Sequence, residues 1–184
     1  YSSFEDGSTH SLYVPSGSTS GLKINRPFTI PQGGSANFTI DFDLRKSVHQ
    51  PGNSGNDYKL RPTLRITDNT EVGKISGFIA AAVVADESCN EGMAIYAYNG
   101  SSVIADDEGS VTAPLTSVIP EYNNTDGNYY YQLSFMLAGD YTLAVTCDAE
   151  FDEAETDEDV SIWTSLVSAN VSVSVDQTTE LNFE

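Results

Sequence analysis

A chain of 184 residues, 39% apolar and 10% aromatic, is long enough to bury a core as one large or two small domains and too aromatic to be disordered. Eight basic residues against 27 acidic ones give a net charge of −19, which repels phosphate backbones and excludes nucleic acid as a partner. The longest apolar run, Phe78 to Ala85, falls far short of the ~20 residues that span a bilayer, so no membrane span is expected.

The chain opens at Tyr1 with no charged-then-apolar leader, and is read as a mature, processed or truncated chain whose export signal lies upstream. Along it, the turn-forming run Pro31-Gln32-Gly33-Gly34 precedes a clean alternation from Asn37 to Leu44. That period of two puts Phe38, Ile40, Phe42 and Leu44 on one face and predicts a half-buried strand. Tyr58 to Ile66 alternates likewise, but Pro62 removes a ladder donor and predicts an edge or a bulge.

At Asp68 to Gly73 a turn-rich connector coincides with a step in charge. Positions 1–74 carry all eight basic residues and seven acidic ones, whereas positions 75–184 carry 20 acidic residues and no Lys or Arg. Such a step marks a domain boundary near residue 72 and divides the chain into 1–72 and 73–184. Beyond it, Lys74 to Val84 and Gly92 to Tyr98 read as buried strands. Tyr129 to Leu137 and Tyr141 to Cys147 read as a hairpin about Ala138-Gly139-Asp140. Asp152 to Leu166 reads as a loop with at most one helical turn. Asn170 to Val175 alternates, and Thr179 to Phe183 closes the sheet after a turn at Asp176-Gln177. The expected fold is all-β, with two packed β-sandwich domains.

Few residues offer chemistry. Cys89 follows one apolar strand and Cys147 ends another, and two cysteines in an exported β-domain are expected to pair as a disulfide. The run from Asp148 to Asp159 clusters hard oxygen ligands, and Asp148, Asp152, Glu153, Glu155, Asp157 and Asp159 are candidate ligands for Ca²⁺, although the spacing is not that of an EF-hand. A solvated acidic loop is the plainer reading. The smaller acidic run Asp106-Asp107-Glu108-Gly109 reads as a turn. Tyr96, Tyr98, Tyr129, Tyr131 and Trp163 are candidates for stacking on sugar rings, against the ordinary enrichment of aromatics in strands. No nucleophile elbow, P-loop, zinc-protease or dinucleotide motif is present, and no enzyme is expected; a carboxylate pair acting as a glycoside hydrolase is a distant third reading.

Two stretches carry a family resemblance. Val14-Pro15-Ser16-Gly17, Phe28-Thr29-Ile30-Pro31, Phe42-Asp43-Leu44-Arg45-Lys46-Ser47-Val48 and Tyr58-Lys59-Leu60-Arg61-Pro62 resemble, over residues 10–72, the C-terminal half of the domain-of-unknown-function family 4382 of exported, lipid-anchored bacterial proteins. Gly73-Lys74-Ile75-Ser76-Gly77 and Leu137-Ala138-Gly139-Asp140-Tyr141-Thr142-Leu143 make residues 73–184 similar to a prealbumin-like or carboxypeptidase-regulatory-like sandwich. The resemblance implies an extracytoplasmic, bacterial cell-surface module with a structural or adhesive role. It also implies a first sandwich that lacks its N-terminal strands and exposes an edge, open to assembly by strand addition into a homo-oligomer or fibre. The alternative is a calcium-assisted carbohydrate-binding module with a glycan partner.

Overall fold

The computed structural model describes residues 2–3, 9–15, 33, 35–49, 58–85, 89–154, 156–157 and 165–184. The chain folds as all-β protein in two compact units, Tyr1–Thr67 and Asp68–Glu184. The break falls at Asp68 because the connector is bonded into the second unit. Thr70 N–H and Oγ1–H both donate to Asp68 Oδ1, Ala138 N–H donates to Glu71 O (3.2 Å), and Asp176 N–H donates to Val72 O (2.9 Å).

The first unit holds β1 (Ser2–Ser3), β2 (Thr9–His10), β3 (Leu12–Tyr13), β4 (Phe38–Asp43), β5 (Val48–His49), β6 (Tyr58–Leu60) and all but the last residue of β7 (Thr63–Asp68). β1 pairs with β2, β6 lies between β3 and β5, and β4 pairs with β7. The proline prediction is answered by a break: Arg61 and Pro62 separate β6 from β7, and the two strands join different sheets. Buried Ser47 bridges the gap, its carbonyl accepting from Arg61 N–H and its hydroxyl oxygen from Thr63 N–H, each at 2.8 Å. β4 forms where the alternation placed it, but Ile40 and Leu44 are 53% and 65% exposed, so the expected buried face is incomplete. Leu44 lies beyond the strand in a tight turn, its carbonyl accepting from Ser47 and Val48 N–H.

The second unit is a sandwich. It contains β8 (Val72–Ile79), a four-residue helix α1 (Cys89–Gly92), β9 (Ala94–Asn99), β10 (Thr116–Val118), β11 (Glu121–Tyr122), β12 (Tyr129–Leu137), β13 (Gly139–Thr146), β14 (Ser165–Val173) and β15 (Thr178–Glu180). One sheet runs β10-β9-β13-β14 and the other β11-β12-β8-β15, with β15 parallel to β8 and every other pair antiparallel. Alternate residues of each strand face inward, as the pleat requires. Ile75 and Ile79 of β8 and Leu133 and Met136 of β12 meet Ile95 of β9 and Leu143 and Val145 of β13 in one cluster. Each such side chain removed from water stabilises the unit by about 1.5–3 kcal/mol.

The hairpin expected about Ala138 is not one. β12 pairs with β8 and β11, whereas β13 pairs with β9 and β14, so the chain passes from one sheet to the other across a single residue. Tyr141, buried at the start of β13, donates its hydroxyl hydrogen back to Leu137 O at 2.8 Å and ties the crossing down. A short loop between apolar strands looks the same in sequence whether the second strand turns back in its own sheet or crosses to the facing one. The disulfide expectation is met. Cys89 of α1 and Cys147, next after β13, are joined, with both residues buried.

Candidate functional site

The outer face of the β10-β9-β13-β14 sheet sets this unit apart from an ordinary sandwich. An antiparallel sheet commonly turns one face to water. Here every residue of β9 from Ala94 to Tyr98 is buried, because two loops cover the outward side. Ala94, Tyr96 and Tyr98 of β9 and Ala144 of β13 form a second small cluster with Ala149, flanked by Val103 and Ala105. Residues 100–115, which link β9 to β10, are fastened across it. Ser102 N–H donates to Asn170 Oδ1 (2.7 Å), Val103 N–H to Thr142 Oγ1 (3.1 Å) and Asp106 N–H to Tyr98 Oη (3.1 Å). The segment after β13 closes the other side, with Ala149 N–H donating to Gly92 O at 3.0 Å.

Where the two loops meet, the two acidic runs meet. Tyr96 donates its phenolic hydrogen to Asp152 Oδ2, and Glu108 N–H donates to both oxygens of the same carboxylate, at 3.0 and 3.2 Å. Tyr98 donates to Asp106 O. Gly109 allows the contact: a Cβ there would stand 1.7 Å from Thr156 O, a clash with backbone that no side-chain rotation relieves. The expected turn falls one residue later, at 107–110, where Gly109 N–H donates to Asp107 Oδ1 (2.8 Å) and Ser110 Oγ–H to Asp107 O (3.0 Å).

Asp107 has no exposed surface and Glu108 only 5%, an unusual place for two neighbouring carboxylates. Asp107 Oδ2 is buried with no hydrogen-bond partner. Loss of solvent pushes the Asp107 carboxyl up from the ordinary carboxylate range; the Gly109 N–H opposes this, and the charges of Asp106, Asp152 and Asp157 add to it. Burial likewise raises the Tyr98 hydroxyl, against its backbone bond to Asp106.

Of the calcium candidates, Asp152 is half-buried at this junction, Asp148 is half-buried with its N–H bonded to Thr146 Oγ1, and Glu153 and Asp157 are exposed. Glu155 and Asp159 lie outside the described residues. Among the described residues, no three His, Cys, Asp or Glu side chains are arranged to hold a metal ion. Of the four described candidates, Asp152 stands at the junction, and the partner it meets is the run at 106–108, which sequence reading left as a turn. A usable signal was present, since β9 carries two tyrosines on the face opposite Ile95, and such an apolar outward face demands a cover.

The same burial corrects the stacking candidates. Tyr96, Tyr98 and Tyr131 are at most 5% exposed and offer no ring face to a sugar. Tyr131 instead donates to Leu181 O at 2.7 Å, and burial raises its hydroxyl. Tyr129 is half-buried against Tyr122, ring centroids 4.9 Å apart, and Trp163 lies outside the described residues. Tyr122 and Tyr130, both exposed, line a shallow hollow with Glu121, Asn123, Asn124 and Thr125.

With this geometry in hand, comparison with known proteins finds one family match, within the first unit. Residues 3–62 match the domain of unknown function DUF4382. The match is N-terminal and covers about a third of the chain, and the finer assignment to that family's C-terminal half does not stand. The prealbumin-like resemblance of residues 73–184 is not confirmed. No curated protein matches the chain. Among solved structures, a fimbrial protein from Bacteroides ovatus is similar at 8% identity and a TM-score of 0.28, over 74% of this chain and 24% of that one. The chain thus spans about a quarter of that protein's length.

Proposed function

We propose that the chain is a non-enzymatic structural module of an extracytoplasmic surface that assembles through a sheet edge. The observation that carries the reading is β14. This nine-residue strand ends its sheet, and among the described residues no strand lies on its far side. Its sequence, Ser165 to Val173, holds no charge and no proline, the devices by which edge strands usually refuse partners. On the open side alternate residues present their backbone donors and acceptors, and although Ser172 O near the strand's end accepts from Thr179 Oγ1–H, the rest is a template for a strand from a second copy.

Two further observations support it. The disulfide suits an oxidising compartment outside the cytoplasm. Asp107 and Glu108 are buried beneath loops, where a glycoside hydrolase needs its carboxylates lining an open cleft. Among the described residues, no helix is long and apolar enough to cross a membrane.

Light scattering across a range of concentrations tests the reading, alongside Ser168→Lys, which puts a charge in the middle of the edge at an exposed position. Particles larger than one chain that S168K returns to monomers are the expected result. A parent chain that stays monomeric at every concentration refutes assembly. A second reading, glycan binding, finds support only in the Tyr122 and Tyr130 rim, and a glycan array comparing the parent with Tyr130→Ala tests it.

A further inference from the structure

The direction of its backbone bonds, its length and its charge together select a partner for the β14 edge. In an antiparallel ladder a residue's N–H and C=O point to one side and the next residue's to the other. Gly100 N–H, just past β9, donates to Asp140 O at 2.8 Å, so Asp140 bonds toward β9, as do Thr142 and Ala144 further along β13. Their partners on β14, Ser172, Asn170 and Ser168, therefore point away from β13. Thr179 Oγ1–H takes Ser172 O at 2.9 Å, which leaves Ser168 and Asn170 to present donors and acceptors at the middle of the open edge. The Asn170 amide does not compete for them. Its oxygen accepts from Ser102 N–H and Thr142 Oγ1–H, and its nitrogen donates to Ser102 Oγ.

We infer that the partner of this edge is β14 of a second copy, laid antiparallel about a two-fold axis at Ala169, which closes a dimer where a head-to-tail contact would grow a fibre. This rests on the assembly reading above and names its partner. The other described edges fit poorly. β1, β2, β3, β5 and β11 have two residues each and β10 and β15 three, and Pro114 and Pro120 flank β10. The six-residue edges of β4 and β7 carry Asp41, Asp43, Arg65 and Asp68. Among the described strands β14 alone offers nine uncharged residues. In the two-fold pairing Ser168 exchanges both backbone bonds with Asn170 of the other copy, the two Ala169 face each other, and Val167 faces Val171. The sides of the sheet also agree. Ser168 and Asn170 are exposed, whereas Val167, Ala169 and Val171 turn to the core, so polar meets polar and apolar meets apolar along the seam. Two chains of net charge −19 repel, and positions 160–175, which carry no charge, let them meet without setting acid against acid.

Light scattering and cysteine cross-linking of the chain test the pairing. The parent should stop at two chains. Raising salt from about 0.01 M to 1 M, which shortens the screening length from roughly 30 Å to 3 Å, should tighten the dimer. Ala169→Cys sets one thiol of each copy in a facing pair with Cα atoms about 4.5 Å apart, within disulfide reach, and should give a covalent dimer on mild oxidation. Cys89 and Cys147 are already joined, so the new sulfur has no thiol partner in its own chain. Ser172→Cys is the control. In this register Ser172 falls opposite position 166, about 20 Å along the seam from its counterpart, and should not cross-link. Circular dichroism confirms that both variants are folded. Cross-linking of S172C, none in A169C, a dimer that salt loosens, or particles that grow past two chains would each overturn this pairing and leave assembly through another contact. A parent that stays monomeric at every concentration removes the assembly reading as well.

Discussion

Replacing Gly77 with alanine should detach the end of the chain from the sandwich. Gly77 lies in β8, and a Cβ on it would stand 1.8 Å from Leu181 O and 2.7 Å from Leu181 C. Both are backbone atoms of the segment that follows β15, so relief requires that segment to retreat by about 1.2 Å to reach the 3.0 Å floor of real contacts. The retreat breaks three backbone bonds: Leu181 N–H to Ser76 O (3.0 Å), Phe183 N–H to Phe78 O (2.9 Å) and Ala80 N–H to Phe183 O (2.8 Å). At about 1 kcal/mol each, plus part of the roughly 1.5–3 kcal/mol held by a buried phenylalanine, the loss is about 4 kcal/mol. Phe183 is 3% exposed, so its burial is there to be lost. Urea unfolding measures the total, and hydrogen exchange at residues 178–184 locates it. Deleting residues 181–184 should cost about as much, and G77A on that background should cost little more. A G77A protein within about 1 kcal/mol of the parent, with residues 178–184 still protected, would refute the argument.

The remaining predictions concern the disulfide and the buried carboxylate. The Cys89–Cys147 bridge closes a loop of 58 positions, for which chain entropy gives about 4 kcal/mol; the double alanine variant should lose roughly that in urea melts, and a loss under about 1 kcal/mol would contradict it. Asp107 has a folded-state pKa raised above its unfolded value, so it binds its proton more tightly in the folded chain. The stability of the parent relative to Asp107→Asn should be greatest below the unfolded carboxylate pKa and decline as pH rises through the raised folded value. Thermal melts across that window check it, and a difference that does not change with pH would show that Asp107 carries no such shift.

Much of the architecture was legible because alternation reports which strand faces are buried. β4, β12 and β13 fall on runs where apolar residues recur every second position, β8 and β9 on apolar runs read as buried strands, and β14, read only from Asn170, begins earlier, at Ser165; β15 overlaps the closing segment read at Thr179 to Phe183. β10 and β11, three and two residues long, are too short for a period to show. The change of sheet at Ala138 was illegible for another reason: alternation records a residue's face and says nothing of which neighbour its strand bonds to. The acidic junction was half legible. Asp152 was named for its charge, but Asp107 and Glu108 acquire their character from burial, which depends on Tyr96 and Tyr98 facing outward and on Gly109 letting Thr156 approach.

The parallel pairing of β8 with β15 has a mechanical consequence. β8 carries the chain into the second unit and β15 carries it toward its end, and because they run the same way the two exits lie at opposite ends of the pair. Tension applied between residues 68 and 184 would therefore slide one strand along the other. The bonds from Asp176, Lys74, Leu181, Phe183 and Ala80 would bear that load side by side and have to rupture together. An antiparallel pair at the same place would open one bond at a time, like a zip, under far less force. A module built this way is suited to being pulled.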